Sequence, residues 1–424
     1  MQTIVVHGGG YVGLTGAIHA ALSGYKVIIY DPDTNVVNAI NNGKPRANEY
    51  LSYIDANVGV LVKSNMLHAT NDYESIQSEL YHLLAVPTES GDTPNMSIVK
   101  KCITNLHTTV PDSGLIIVES TLQPKTIDSL YIPRVYSNKI GLAVCPRLDW
   151  FGDKNKNVGN LPRIVGGVTP ESTEKAAWVL GKFCTNTHKT NHRVAEWAKC
   201  GQNALYFVQI MAAHEMAKTF HSDVNFNEAL KFIGLHWRLP ELFLGPGTSG
   251  RCVQMGAQYI NNIDSKRYMP ILEASLHQDF AWRKLIGDVL TKGVSPKCSI
   301  ESKKLLVMGI AYRANFSDFG YSAGLDIAKN LKEEDWNISI NDPIIHHGIL
   351  NKLMPVSTLN DSFDGVLLAT GHDAYSQLPD NMINFKKGCF VLDACGLWEK
   401  YRESFRENDV IYCRVGDQGW IDLL

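Results

Sequence analysis

The chain has 424 residues, too many for one compact core, and its 45% hydrophobic and 20% charged residues are the balance of a globular protein of two or three domains. A formal net charge of −3 argues against a broad basic surface for nucleic acid. No apolar run reaches bilayer length, and the N-terminus lacks a basic region followed by an apolar run and a cleavage site, so the expectation is a cytoplasmic protein without membrane or nucleic-acid partners.

Residues 3–6, 26–30, 82–86, 115–118 and 140–144 are short apolar runs separated by helical stretches such as Val12 to Ser23. That alternation predicts parallel strands covered on both faces. His192 to His221 contains no proline and one glycine, and is rich in Ala, Met, Leu and Glu. It predicts one long, partly buried helix. A helical segment continues to about residue 297, where Gly293 to Lys297 reads as a linker. Strands then return at 304–308, 337–340, 365–369 and 389–393, with a helix over 324–332. The expected fold class is α/β, with two Rossmann-like doubly wound domains joined by a long central helix. The expected boundaries are 1–191, 192–297 and 298–424.

The strongest local motif is Gly8-Gly-Gly10-Tyr11-Val12-Gly13, which follows a strand and opens a helix. Gly8 permits the tight turn, Gly10 lets the backbone approach a pyrophosphate, and Gly13 allows close helix–strand packing. The helix N-terminus adds backbone N–H donors and a positive dipole end. The next strand ends at Asp31, about 20 residues on, where an acid bonds a ribose 2′-hydroxyl and repels a 2′-phosphate. NAD is therefore the expected cofactor. Two other matches compete. His7-Gly-Gly-Gly10 resembles an esterase oxyanion loop, and Gly320-Tyr-Ser322-Ala-Gly324 has the spacing of a nucleophile elbow. The elbow lacks a convincing strand before it. Gly245 to Gly250 resembles half a phosphate loop, but Arg251 and Cys252 replace the Lys and Ser/Thr that would follow. The nine cysteines are scattered, without metal-type pairing, which fits reduced thiols and no metal site.

The order of short motifs along nearly the whole chain resembles the UDP-glucose/GDP-mannose dehydrogenase family. They are Gly8 to Leu14, Val86-Pro87-Thr88, Glu119-Ser-Thr121, Cys145-Pro146 and Val165 to Pro170. Glu196-Trp-Ala-Lys199 with Asn203, Gly245-Pro-Gly247 with Gly250 and Cys252, and Met308 to Ala311 complete the set. The resemblance implies an N-terminal NAD domain, a helical dimerisation segment and a C-terminal nucleotide-sugar domain. It implies oxidation of the C6 alcohol of a nucleotide-linked sugar to the uronic acid, of the UDP-glucose or UDP-N-acetylhexosamine type, as in polysaccharide biosynthesis. Cys252 would be the nucleophile, trapping the aldehyde as a thiohemiacetal that is oxidised to a thioester, with the neighbouring Arg251 favouring thiolate. Lys199 and Asn203, four apart on one helix face, and Thr121 would line the catalytic site. Pro87, Thr88 and Thr121 would join Gly8, Gly10, Tyr11, Val12, Gly13 and Asp31 around NAD. Lys199, Asn203, Arg238, Gly247, Arg147 and Arg313 would contact the substrate, Arg238 from a second subunit of a homodimer. Leu205, Phe207, Ile210 and Met211 supply the long helix with apolar surface for that dimer.

The chain also departs from the family's pattern. Gly256 stands where the family has an aspartate four residues after the cysteine. Arg147 replaces the glutamate associated with water attack on the thioester, leaving Asp149 two residues on. Gly320 to Ala323 replaces an Arg-Glu-Ser-Pro run, and Arg313 replaces a lysine. The departures keep two alternatives open: a specialised relative that stops at the aldehyde or takes an unusual sugar, and a non-catalytic binder of NAD and nucleotide sugar.

Overall fold

The apolar runs of the first third become the interior of an eight-stranded sheet. A computed structural model describes residues 2–45, 57–91, 93–150, 153, 155–221, 223–263, 268–294, 303–357, 359, 361–377 and 384–424. The chain divides into two units, Met1–Gln202 with Asn262–Ser265, and Asn203–Asn261 with Lys266–Leu424.

In the first unit the strands are β1 (Thr3–His7), β2 (Lys26–Tyr30), β3 (Leu67–Thr70), β4 (Tyr81–Leu84), β7 (Leu115–Val118), β8 (Gly141–Val144), β9 (Arg163–Gly167) and β10 (Thr187–Asn191). A short ribbon pairs β5 (Glu89–Ser90) with β6 (Thr93–Pro94). The sheet order is β10-β9-β8-β7-β4-β1-β2-β3, parallel except where β8 meets β9. The helix Tyr11–Leu22 packs on it through Leu14, Ala17, Ile18 and Ala21. The central strands are buried on both faces because helices cover both, so they read as continuous apolar runs.

The second unit carries a five-stranded parallel sheet in the order β12-β11-β13-β14-β15. Its strands are β11 (Lys304–Met308), β12 (Asn337–Asn341), β13 (Ser362–Leu368), β14 (Asn384–Asp393) and β15 (Ile411–Arg414). The helical middle of the chain shares this unit's core. Ala213, Phe226, Trp282 and Ile286 cluster with Leu305, Val307 and Leu392. Amphipathic helices need an apolar partner, and here the sheet provides it.

The long helix spans His192–Met216, ending five residues before the expected His221. The indole N–H of the buried Trp420 donates to Ala217 O at 2.9 Å just past its end. Phe207 and Met211 are buried within the protein, so they are not dimer surface as expected, whereas Leu205 is exposed. Of the expected linker, Gly293 closes the helix Pro270–Gly293 and Val294 follows it, while 295–297 lie outside the described residues, as does Cys298. No helix among the described residues is long and apolar enough to cross a membrane.

Candidate functional site

The glycine motif occupies the turn between β1 and the helix Tyr11–Leu22, and each glycine has a different constraint. Gly8 sits at φ +101°, and a Cβ there would lie 2.4 Å from Ala85 O. A Cβ on Gly13 would lie 1.9 Å from Gly8 O, so only glycine lets the helix start against the strand end. A Cβ on Gly10 would meet nothing within 4 Å. Gly10 is thus spared a side chain by no protein neighbour, which fits a turn that receives a pyrophosphate. Asp31, at the end of β2, accepts the Gly9 N–H at 2.8 Å and the Asp33 N–H at 2.9 Å. Its carboxylate is thereby held beside the turn.

The register brings further predicted residues to the same edge. His7 pairs with Leu84, and Leu84 with Val118. The segments after β1, β4 and β7 therefore leave the sheet side by side, at the carboxyl ends where such sheets bind ligands. Pro87 is exposed there, and Thr88 N–H donates to Glu89 Oε2 at 3.1 Å. Ser120 Oγ donates to Val86 O at 2.7 Å, tying the segment before Thr121 to the one before Pro87. Lys199 joins this edge indirectly, because the Cys200 thiol donates to Leu122 O at 3.2 Å. Lys199 is half-buried, in keeping with a helix that is only partly enclosed.

In the second unit Cys252 lies in the first turn of the helix Arg251–Asn261, not within the glycine loop itself. Negative charge is stabilised at that end of a helix. Cys252 is exposed, whereas Cys145, Cys184, Cys200, Cys389 and Cys413 are buried. Burial pushes the Cys145, Cys200 and Cys389 thiols up to about 12. Those thiols are unsuited to nucleophilic work. Asn203 donates its amide to Cys252 O at 2.9 Å, so it locks the long helix to the cysteine helix. The Arg251 side chain lies outside the described residues. Gly256, one turn after Cys252, is buried and offers no carboxylate.

The loop before the cysteine is bolted down by residues that sequence reasoning missed. Trp282 Nε1 donates to Gly245 O at 2.8 Å, and Thr248 N–H donates to Asp279 Oδ1 at 2.8 Å. Arg283 donates to Thr248 O and to Asp279 Oδ2, both at 2.6 Å, and also pairs with Asp326. Gly247, at φ +140°, runs against this arginine: a Cβ would lie 2.8 Å from Arg283 Cγ. Gly250, at φ +87°, packs on the Tyr312 ring. The next residue, Arg313, lays its guanidinium over Phe316, 4.1 Å from the ring centroid. Arg238 is exposed and stacks over Trp237 at 4.6 Å. The only signal for the bolt was the i, i+4 spacing of Asp279 and Arg283, which marks a helical ion pair without saying what it grips.

Arg147 is placed differently from the expectation. It is 7% exposed, and buried charges must be paired. Its guanidinium meets both oxygens of Asp149 at 2.7 Å and Glu119 Oε2 at 3.3 Å. The other Glu119 oxygen accepts from the buried Arg163. Burial alone would push the Asp149 carboxyl up, but Arg147 holds it below the usual range. Arg147 is therefore spent inside the first unit rather than offered to a substrate, and Asp149 is an ion-pair partner rather than an available base. The serine of the elbow match is also accounted for. Ser322 is 2% exposed and caps the helix Ala323–Glu333 by accepting the Leu325 N–H at 3.1 Å.

The two sheets repeat one device. After β11, Gly309 takes φ +80°, and Asp342 at the end of β12 accepts Ile310 N–H at 2.8 Å and Ala311 N–H at 2.9 Å. His372 Nε2 lies 3.1 Å from the same oxygen. Asp342 is buried and fully engaged, whereas Asp31 stays partly exposed.

Two domains of one family match the chain in this order: the NAD binding domain over residues 2–184 and the UDP binding domain over residues 306–400. The chain belongs to the UDP-glucose/GDP-mannose dehydrogenase family. It is a dehydrogenase of that family, and NAD is its cofactor. It is 27% identical over 387 residues to the UDP-N-acetyl-D-mannosamine dehydrogenase of Methanococcus aeolicus, covering 88% of this chain and 86% of that one. The UDP-glucose 6-dehydrogenase of Haloferax volcanii is 25% identical over 406 residues, covering 88% and 92%. The solved UDP-D-ManNAc dehydrogenase of Pyrococcus horikoshii superposes with a TM-score of 0.85 at 22% identity, over 99% of this chain and all of that one. At that identity the superposition establishes the fold.

Proposed function

We propose that this family member oxidises the C6 alcohol of a UDP-linked hexose, of the N-acetylhexosamine or glucose type, to the uronic acid. Cys252 carries the reading. It is exposed, as Cys395 also is, but it alone of those two stands in the first turn of a helix, behind a Gly-Pro-Gly loop fixed at both ends. NAD supplies the hydride acceptor for both oxidations. The Cys252 thiolate adds to the C6 aldehyde, giving a thiohemiacetal. Removal of two electrons gives the thioester, and water cleaves it to the acid and the free thiol. Lys199 would stabilise the developing alkoxide, Thr121 would orient water, and Asn203 holds Cys252 in place. The names of the relatives, UDP-N-acetyl-D-mannosamine dehydrogenase and UDP-glucose 6-dehydrogenase, support a UDP-sugar.

A homodimer forms part of this reading. Leu205, Phe232, Leu235, Trp237 and Phe243 are each more than 60% exposed, an apolar surface that suits a second copy. Arg238, beside Trp237, would then reach the partner's substrate.

The pairing of Arg147 with Asp149 favours one variant of the scheme, in which both oxidations proceed and thioester hydrolysis is slow. The experiment is a screen of UDP- and GDP-sugars for NADH formation, with NADH counted per sugar consumed. Two NADH per UDP-N-acetylhexosamine or UDP-glucose supports the reading. One NADH assigns the chain to aldehyde release, and none with any sugar assigns it to binding alone.

A further inference from the structure

We propose that Arg147 is a positioning residue for the helix turn that receives the NAD pyrophosphate. The inference does not depend on the role of Cys252. Arg147 follows β8 by three residues, yet its fork reaches the start of the helix Tyr11–Leu22. Nη1 donates to Val12 O and Nη2 to Thr15 Oγ1, both at 2.9 Å. The Thr15 hydroxyl in turn donates to Tyr11 O at 2.8 Å. One guanidinium thus grips the first turn both directly and through a threonine. That turn carries the N–H groups that have no partner within the helix and are left for an anion.

Three further observations support a device for orientation. The fork is itself aimed by Asp149, which takes two of its donors, and by Glu119, which Arg163 holds from the other side. The group contains two arginines and two carboxylates, so its charges cancel and its effect on a bound phosphate is geometric. Gly16 makes room for it: a Cβ there would lie 2.9 Å from Arg147 Nη1 and 3.1 Å from Glu119 Oε2. A buried ion-pair group contributes little net stability compared with apolar side chains of the same volume. Setting the rotation of a short turn to within a fraction of an ångström is a role that apolar packing fills less well.

The test is calorimetric titration of the full-length protein with NAD, ADP-ribose and adenosine. Arg147→Lys keeps the charge but cannot span Val12 O, Thr15 and Asp149 together. Thr15→Val removes one acceptor at nearly constant volume. Both variants should weaken NAD and ADP-ribose in parallel, by about fivefold or more for Arg147→Lys. Adenosine, which lacks the pyrophosphate, should bind as to the parent. If Arg147→Lys does not fold, Thr15→Val decides alone. The proposal is overturned if the folded variants bind NAD within twofold of the parent. It is equally overturned if adenosine weakens as much as ADP-ribose, because the domain as a whole has then been disturbed.

Discussion

Replacing Gly10 with alanine isolates the cofactor from the fold. At Gly10 φ is −73° and ψ is −173°, an extended conformation that alanine adopts freely, and the new methyl would meet no protein atom within 4 Å. The folded state therefore carries no strain. The unfolded chain loses freedom, which favours folding by about 0.4–1 kcal/mol. A methyl in the space of a pyrophosphate costs about 1–3 kcal/mol, as does an extra methylene in a packed core. That corresponds to a loss of about 5- to 150-fold in NAD affinity. Gly13→Ala is the contrasting change, since its methyl would lie 1.9 Å from Gly8 O and must push helix and strand apart. Thermal unfolding and NAD titration should then separate the two. Gly10→Ala keeps or raises Tm and loses NAD, whereas Gly13→Ala loses both. Unchanged NAD affinity in Gly10→Ala would refute the placement of the pyrophosphate at this turn.

Asp31→Ala should narrow the preference for NAD over NADP by about tenfold, or about 1.4 kcal/mol, in titrations of both cofactors; equal affinity for the two in the parent protein contradicts the assignment. Stability should fall in acid. Burial lowers His7 well below its usual value, His82 to about 4 and His214 to about 3, so each is neutral when folded and protonates on unfolding below about 6.5. Each contributes stability that is complete above 6.5 and is lost by up to about 1.4 kcal/mol per pH unit toward its folded value. Glu196, pushed up to about 7 by burial, acts in the opposite sense, gaining stability as pH falls from 7 to 4.5, but these three histidines and His19, which burial lowers to about 4, outweigh it. Urea midpoints at pH 7.5 and 5 should differ clearly, and equal midpoints would show that these histidines are not buried neutral. Light scattering should give twice the chain mass of 47.1 kDa, and a monomer at assay concentration would remove Arg238 from the site.

The sequence disclosed the central strands and the dinucleotide turn because those residues obey strong local rules. Strands covered on both faces are mostly apolar, and Gly8 and Gly13 are demanded by backbone contacts, with Ala85 O and with Gly8 O. The strands that escaped notice are mostly edges or half-exposed. β10 carries Thr, His, Lys and Asn and is largely outside the core, while β3 and β15 alternate. β9 was hidden by Gly166 and Gly167, which lie where any Cβ would strike Asn191 O or Thr173 N. Cys252 and Asn203 were pointed to by the family resemblance, but their hydrogen bond and the helix turn under the cysteine were not legible. The grip of Arg283 on Thr248 and that of Arg147 on Thr15 join residues 35 and 132 positions apart. Local periodicity holds no trace of such pairs. Arg147 was misplaced for the same reason: its motif position suggested a ligand contact, and only the tertiary fold shows its donors already used.

The central claim is that Cys252 carries the substrate covalently. Rapid mixing of the protein with NAD and the UDP-sugar that it oxidises, followed by intact-mass measurement and absorbance of NADH, tests it directly. The account predicts a burst of NADH, a slower steady state, and the mass of the sugar nucleotide transiently attached to Cys252. Cys252→Ser should form no lasting adduct and should lose the second oxidation. If Cys252→Ser produces the acid at the rate of the parent protein, the covalent mechanism is wrong.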